Sequence, residues 1–597
     1  MVLYAIAFVL ATACSVAGGG LVRRYAAAAG AVVPPRTDRW HRDPTPTMGG
    51  IAIAAGTIAG FLAILLRPDL LGDPAEWLPV PAAALAMFVL GLLDDHLQLS
   101  PVAKLVGSLI VGAFLVLALG GTDPSDALPS LYTLVAIVWF AGICHAMNLL
   151  DNMDGLAAGV ALIAAVFAAL LLPGLLEPAL VLWLVALAGA LLGFLYWNRS
   201  RARLFMGDCG SLFIGGLLGA TSLVPMFGAP LAFVSPIVIL VLILIVPLFD
   251  TAFVLVLRRL AGRQATKGGT DHVSHRLVSL GFSERSAVRI LYALGAVGGG
   301  TAWFVMRDGG VEPVLPVVAL FTVGIVLVGI YLARVPAYNA EDFRALQKSS
   351  FAPFLKDLAF RFHVGEVLLD IVLIAVSYYV AYRLRFEGEA LDNFLPYFTA
   401  SLPAVLGCKL IAMYVSGLYR RSWETFGLRD VSVVLRGVGF GSLLSLVAVA
   451  FLYRLEGFSR AVYVLDALLL AAAIVGTRAS FRAMNLVAAS RHKRNSRVLV
   501  CGAGAFGQTL VREMRANPRW KMNPIAFLDD DPMKHRRWIM GVPVRGNLEH
   551  LQDTLQRYAI DEVVLSSAAI NGSVEERIRQ TCAALNRPVR RLHMEIR

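Results

Sequence analysis

Apolar residues fill most of the chain in runs of about 18 to 25, each long enough to cross a bilayer as a helix. Eleven such runs lie near 3–21, 48–66, 78–93, 101–120, 131–147, 157–173, 178–197, 209–227, 232–257, 287–306 and 313–333. Four more follow near 364–384, 397–418, 431–453 and 461–478. The stretch from Asn339 to His363 is charged and amphipathic, which predicts a linker over 336–363 lying partly on the membrane surface. From about Asn495 the texture changes. Strand-like RVLVCGAG, PIAFLDDD and DEVVLSS alternate with helical runs, the pattern of a small α/β domain with a parallel sheet. The expected fold is a polytopic α-helical membrane protein of about fifteen spans with a C-terminal α/β domain. Its expected parts are an eleven-span unit (1–335), the linker, a four-span unit (364–480) and the α/β domain (495–597).

Composition agrees with lipid as the main solvent: 58% of residues are hydrophobic and only 16% charged, where a soluble chain carries about a quarter. The first run is not read as a signal peptide, because similar runs follow at once. The net charge of +12 is distributed by topology. One set of loops holds Arg23, Arg24, Arg36, Arg39 and Arg42, then Arg199, Arg201 and Arg203, then Arg258, Arg259, Arg263, Lys267, Arg276 and Arg285. The alternate set is acidic or neutral, with Asp69, Asp73, Glu76, Asp123, Asp126, Asp308 and Glu312. The positive-inside rule then places the N-terminus outside and the C-terminal domain in the cytoplasm. Membrane lipids and anionic substrates are the expected partners, and nucleic acid is not. The six cysteines are scattered without a C-x-x-C pair, so neither a disulfide framework nor a zinc site is indicated.

Carboxylates near membrane depth are costly and mark candidate sites. Here the polar clusters HRDPTPTMGG (41–50), GLLDD (91–95), NLLDNMDG (148–155), FMGDCGS (205–211), PLFD ending at Asp250, and GGTDHVSHRL (268–277) all fall on one expected side. They suit phosphoryl transfer. Bringing a nucleotide diphosphate against a second phosphate requires a divalent metal, carboxylates to hold it and cations around the oxygens. Magnesium usually takes one or two carboxylates plus substrate phosphates, and Asp94, Asp95, Asp154, Asp208 and Asp250 are more than enough. The turns Met48-Gly49-Gly50 and Gly207-Asp208-Cys209-Gly210 can bring backbone N–H groups to phosphate oxygens.

In this order the motifs over residues 1–335 resemble those of the polyprenyl-phosphate N-acetylhexosamine-1-phosphate transferases. The resemblance implies transfer of a sugar 1-phosphate from a UDP-N-acetylhexosamine to undecaprenyl phosphate, with release of UMP and with Mg2+ or Mn2+ as cofactor. A homodimer is expected. Asp208 resembles the family's magnesium ligand, with Asp95 and Asp154 as further candidate ligands, and Asp94 resembles the residue that activates or positions the lipid phosphate. Thr47, Gly49, Asn148, Asn152, Asp154 and Asp250 are placed as substrate-binding residues, Phe205 as a ring that stacks on uracil, and Lys104 as a lysine facing phosphate. His272, His275 and Arg276 resemble the loop that grips the diphosphate or sugar. Two departures stand out: Arg42 where the peptidoglycan branch has lysine, and H-x-x-H-R in place of a histidine triplet.

The C-terminal domain carries G-x-G-x-x-G as Gly502, Gly504 and Gly507 between a predicted strand and helix, with Asp529 ending the next strand. That context suits a Rossmann-like phosphate site for a nucleotide or nucleotide-sugar. The four spans plus this domain resemble the N-terminal half of membrane-bound nucleotide-sugar 4,6-dehydratases. Their catalytic dehydrogenase half is not found before Arg597, so the expected role is regulatory or assembling. The competing readings are a nucleotide-sugar-binding regulator without transferase activity and a transporter. A transporter predicts paired repeats and mid-membrane charges.

Overall fold

A computed structural model of the chain describes residues 1–28, 32–33, 44–120, 131–228, 234–260, 271–307, 311–333, 364–386, 388–420, 426–454, 458–491, 496–516, 520, 522–535, 537–566 and 572–591. The linker expected over 336–363, Arg42 and the start of the histidine loop (268–270) lie outside the described residues. The chain forms two compact units, Met1–Phe481 and Arg482–Arg597.

Every apolar run falls on a helix. They are α1 (Val2–Ala28), α2 (Gly50–Phe61), α3 (Pro79–Leu97), α4 (Pro101–Ala118), α5 (Leu131–Leu150), α6 (Leu156–Leu171), α7 (Pro178–Asn198), α8 (Gly207–Gly228), the pair α9 (Val234–Ile243) and α10 (Ile245–Leu260), then, after the short α11 (Val273–Ser279), α12 (Glu284–Arg307) and α13 (Val311–Ala333). The later four are α14 (Val364–Arg385), α15 (Glu389–Val415), α16 (Leu428–Tyr453) and α17 (Arg460–Arg491). Among the described residues, eleven helices are long and apolar enough to cross a membrane, and α2, α6 and α13 are shorter apolar helices. The chain is a polytopic membrane protein.

The run 232–257 departs from the expected single straight span. It breaks at Leu244 into α9 and α10, bent by 81°. Pro247 explains the break: without an N–H it cannot bond back to Ile243, and its ring would clash with the preceding turn, so it sits instead in the first turn of a new helix. Gly298 of α12 lets the break nestle close, since a Cβ there would lie 2.4 Å from the Leu242 carbonyl oxygen.

The last four helices bury charge in pairs. Lys409 of α15 is ion-paired with Asp466 of α17, and Arg478 of α17 reaches Asp370 of α14 at 3.2 Å. Tyr378 meets Ser401 at 2.9 Å beside Tyr463. Pairing is what makes such charges tolerable away from water. Tyr331 and Phe481 stack edge-to-face at 5.8 Å, joining α13 to α17.

The second unit is a parallel four-stranded sheet, with β1 (Ser496–Cys501), β2 (Met522–Leu528), β3 (Glu562–Leu565) and β4 (Val589–Arg591) in the order β2-β1-β3-β4. Helix α18 (Ala505–Ala516) packs on one face through Leu510, Val511 and Met514. Helices α19 (Leu551–Arg557) and α20 (Gly572–Ala584) cover the other through Leu551, Leu555, Ile578 and Cys582. Strand order reverses between β1 and β3, beside the first strand-to-helix loop, which is where open parallel sheets generally take their ligands.

Candidate active site

Helix α3 stops at Gln98, which adopts φ 51° and bonds back to the Asp94 carbonyl. Ser100 then caps α4 by accepting from the Ala103 N–H, with Pro101 opening the helix. This tight reversal brings Lys104 over the end of α3. Its ammonium lies 2.7 Å from Asp94 Oδ2 and 3.0 Å from Asp208 Oδ2. Asp94 also accepts from the Leu99 N–H at 2.8 Å, which fixes the carboxylate in the turn. A lysine thus sits as a cation between two acids, the three side chains coming from three helices.

Asp95 faces the other way. Its two oxygens accept the backbone N–H groups of Asp208 at 2.9 Å and Cys209 at 3.0 Å, so it caps α8 from the end of α3. Gly91 makes that approach feasible, because a Cβ there would stand 2.4 Å from the Asp208 carbonyl oxygen.

TPTMGG and FMGD are joined backbone to backbone. Phe205 N–H donates to Pro46 O, and the Gly49 and Gly50 N–H groups donate to Phe205 O and Met206 O, all at 2.8 Å. Met48 and Gly207 both take positive φ (74° and 75°), and a side chain at Gly50 would strike Gly210 N at 2.2 Å. Thr47 lies against Gly207, within 3.2 Å of where a Cβ would be. The Phe205 ring is partly exposed at this junction.

NLLDNMDG is tied on three sides. Asn148 donates to Ser211 of α8 at 2.9 Å, Asn152 accepts from Ser274 of α11 at 2.7 Å, and Asp154 accepts from the Ala202 N–H at 2.9 Å. Asn198 holds the Gly155 N–H at 3.0 Å. A cavity of about 400 Å3 opens beside Asp154, with Arg199, Arg285, Arg289, Glu284 and Tyr292 on its walls.

In the histidine loop, Asp250 Oδ2 meets His272 Nδ1 at 2.7 Å, and Oδ1 accepts the Val273 N–H at 2.8 Å. Asp250 therefore holds the loop onto α10 one turn past the break. The His272 and His275 rings are 6.2 Å apart. Burial, then the neighbouring His272, pushes the His275 imidazole down to about 4, so it is neutral at physiological pH. Arg276, expected at the substrate, is only 4% exposed. Its guanidinium bonds Leu332 O at 2.9 Å and Asp271 O at 3.3 Å, above the Phe253 ring.

The helix ends carrying four of the motifs are thus knit into one end of the bundle: α3 with α4 and α8, α5 with α8, and α2 with the start of α8. The reading of the sequence missed the residues that do the tying, Asn198, Ser211, Ser274 and the Arg258–Asp271 ion pair at 3.0 Å. Ser211 stands at the end of FMGDCGS, Asp271 and Ser274 stand within GGTDHVSHRL, and Arg258 is one of the basic loop residues; Asn198 alone carries no local signal.

Among the described residues no three His, Cys, Asp or Glu side chains form a ready metal cage. A magnesium site needs less than that, one or two carboxylates plus substrate phosphates. Asp94 and Asp208 fit, since they already attract a cation, the Lys104 ammonium, between them.

In the C-terminal domain, Gly502 takes φ +103° and its N–H bonds Leu528 O at 2.7 Å. Asp529 accepts the Ala503 N–H at 2.6 Å and pairs with Lys534 at 3.2 Å. Gly507 packs so tightly that a Cβ would fall 2.0 Å from Gly502 O, whereas one at Gly504 would meet nothing within 4 Å.

Residues 77–226 match glycosyl transferase family 4, and residues 414–589 match a CoA-binding domain. The chain is 35% identical over 288 residues to a probable undecaprenyl-phosphate N-acetylglucosaminyl 1-phosphate transferase of Bacillus subtilis, covering 46% of this chain and 78% of that one. It is 34% identical over 350 residues to a decaprenyl-phosphate N-acetylglucosaminephosphotransferase of Mycolicibacterium smegmatis, covering 53% and 85%. A phospho-N-acetylmuramoyl-pentapeptide-transferase of Mycobacterium avium shares 35% over 227 residues, covering 30% and 63%.

Proposed function

The chain belongs to the polyprenyl-phosphate N-acetylhexosamine-1-phosphate transferases of glycosyl transferase family 4, and on that premise we propose that it transfers N-acetylglucosamine 1-phosphate from UDP-N-acetylglucosamine to undecaprenyl phosphate. The observation that carries this reading is the Asp94–Lys104–Asp208 cluster at the meeting of α3, α4 and α8.

An oxygen of the acceptor phosphate attacks the phosphorus that bears the sugar. The bond from that phosphorus to the uridylyl phosphate breaks, and UMP leaves with the electron pair. Lys104 offsets the charge of two phosphates brought together. Asp208, with Asp94 beside it, would hold magnesium or manganese, which supplies further neutralisation of phosphate oxygens when bound. Asp95 acts through Asp208 as a positioning residue. Asn148, Asn152 and Asp154 shape the donor pocket, and the neighbouring arginine-walled cavity has room for a sugar or nucleoside portion. Phe205 offers a ring to uracil. His272 and His275 close the site, while Arg276 braces the loop against α13.

The motif end of the bundle faces the cytoplasm of the inner membrane in this reading, as does the C-terminal domain, which binds a nucleotide or nucleotide derivative and regulates or assembles the enzyme. The test is release of UMP from UDP-N-acetylglucosamine by purified protein supplied with undecaprenyl phosphate and magnesium. Asp208→Asn should remove nearly all of it. Near-normal turnover by Asp208→Asn would overturn the assignment.

A further inference from the structure

One polar pair in the bundle belongs to none of the motifs. His145 of α5 and Ser108 of α4 meet through Nε2 and Oγ at 3.0 Å. Their places in the helices relate them to the site. Ser108 lies one turn from Lys104 on the same face of α4, about 6 Å deeper into the bundle, and His145 lies about 4.5 Å deeper than Asn148 on α5. The partly exposed residues His145, Asn148 and Leu149 lie at helical spacing on one face of α5, so His145 shares the face that carries Asn148. It is also within electrostatic reach of both Lys104 and Asp208.

Ser108 Oγ lies 2.8 Å from Leu105 O and 3.0 Å from His145 Nε2, and a hydroxyl hydrogen given to Leu105 O leaves Oγ to accept from Nε2–H. Nδ1 is then the acceptor nitrogen, with no partner among the described residues. Ser108 is fully buried, whereas His145 is partly exposed.

Two substrates must enter this site from different solvents. The nucleotide comes from water at the helix ends. The prenyl chain of the acceptor lies in the hydrocarbon, so its phosphate head group approaches the cluster from the membrane side. We propose that His145, held by Ser108, is the acceptor-side binding residue, where Nδ1 accepts a hydrogen bond from a protonated oxygen of the incoming lipid phosphate monoester. This rests on the transferase reading. Its chemistry is binding alone: no bond forms or breaks at His145, and a second phosphate oxygen remains for attack.

The experiment compares wild type with His145→Ala, His145→Gln and Ser108→Ala, measuring KM for undecaprenyl phosphate and for UDP-N-acetylglucosamine separately. Retention of undecaprenyl phosphate is measured in parallel by native mass spectrometry without donor or magnesium. His145→Ala should raise the acceptor KM about tenfold or more, as expected for losing a bond to a charged group, and leave the donor KM within about twofold. It should also lose the bound lipid phosphate. His145→Gln, which keeps both a donor and an acceptor, should recover most of the affinity, and Ser108→Ala should fall between. An acceptor KM that stays within twofold in His145→Ala, or that rises together with the donor KM, would overturn the proposal, as would unchanged lipid retention. Should wild type retain undecaprenyl phosphate but fail to turn over, with retention lost in His145→Ala, the transferase reading fails and the binding site stands.

Discussion

Replacing Asp95 with asparagine separates helix capping from metal binding. The carboxylate takes two N–H groups from the first turn of α8, at 2.9 and 3.0 Å. A hydrogen bond to an ionised group contributes about 1.5–3 kcal/mol. An anion at a helix N-terminus adds about 0.3–1 kcal/mol. Asparagine keeps one acceptor oxygen but turns an NH2 toward the second N–H. The loss is therefore one charged bond and the charge–dipole term, about 2–4 kcal/mol. Asp208 is the residue whose N–H is released, and a shift of about 1 Å in a reacting group costs about a hundredfold in rate. Purified Asp95→Asn should accordingly melt several degrees lower and release UMP roughly ten- to a hundredfold more slowly, with an unchanged magnesium requirement. Asp208→Asn should melt near wild type while losing nearly all turnover. Tryptophan fluorescence on heating and a magnesium titration of UMP release provide the readouts. If Asp95→Asn melted like wild type and needed tenfold more magnesium, Asp95 would be a ligand and the capping argument would be wrong.

Gly91→Ala should give a poorly folded, inactive enzyme, because the new Cβ would lie 2.4 Å from Asp208 O; Gly142→Ala, which meets nothing within 4 Å, should melt and turn over like wild type. His275 titrates near 4 in the folded protein against an ordinary 6.5. Between those values the unfolded chain binds the extra proton, so this contribution is present above about 6.5 and lost as pH falls toward 4. The melting temperature should rise across that window, and His275→Gln should flatten the slope. In the C-terminal domain, Gly504→Asp should preserve the fold and abolish the nucleotide binding proposed for the glycine loop, as judged by calorimetry on the full chain. Gly507→Ala should instead distort the glycine loop, visible as faster proteolysis.

The helices were legible because lipid imposes a length and a composition, and all fifteen runs from 3–21 to 461–478 fall on helices. The break at Leu244 was not anticipated, although Pro247 stood in the run, because hydropathy averages over a proline. The strand–helix alternation after Asn495 announced the parallel sheet for a similar reason: each segment's period is local. Motif residues such as Asp94, Asp208 and Asp250 were visible as acids in apolar surroundings. Their division of labour was not. Asp95 and Asp94 are neighbours in the chain, yet one caps α8 and the other faces Lys104, because successive residues on a helix point about 100° apart. His145 escaped notice for the opposite reason: it is a single polar residue in an apolar run, and its relation to Lys104 depends on how α4 and α5 pack.

The backbone joint between Pro46–Gly50 and Phe205–Met206 also governs when the enzyme comes into being. A chain leaves the ribosome in order, so the first half of this joint enters the membrane long before its partner is synthesised. Meanwhile the α3–α4 hairpin can already neutralise itself, Asp94 against Lys104, which eases its passage into lipid. Only the arrival of α8 brings Asp208, satisfies the waiting carbonyls and amides, and adds the surplus negative charge that attracts a divalent cation. A nascent chain that ends before Asp208 lacks one acid of the cluster and half of the joint, so the cluster closes only when α8 inserts, and the histidine loop follows later still.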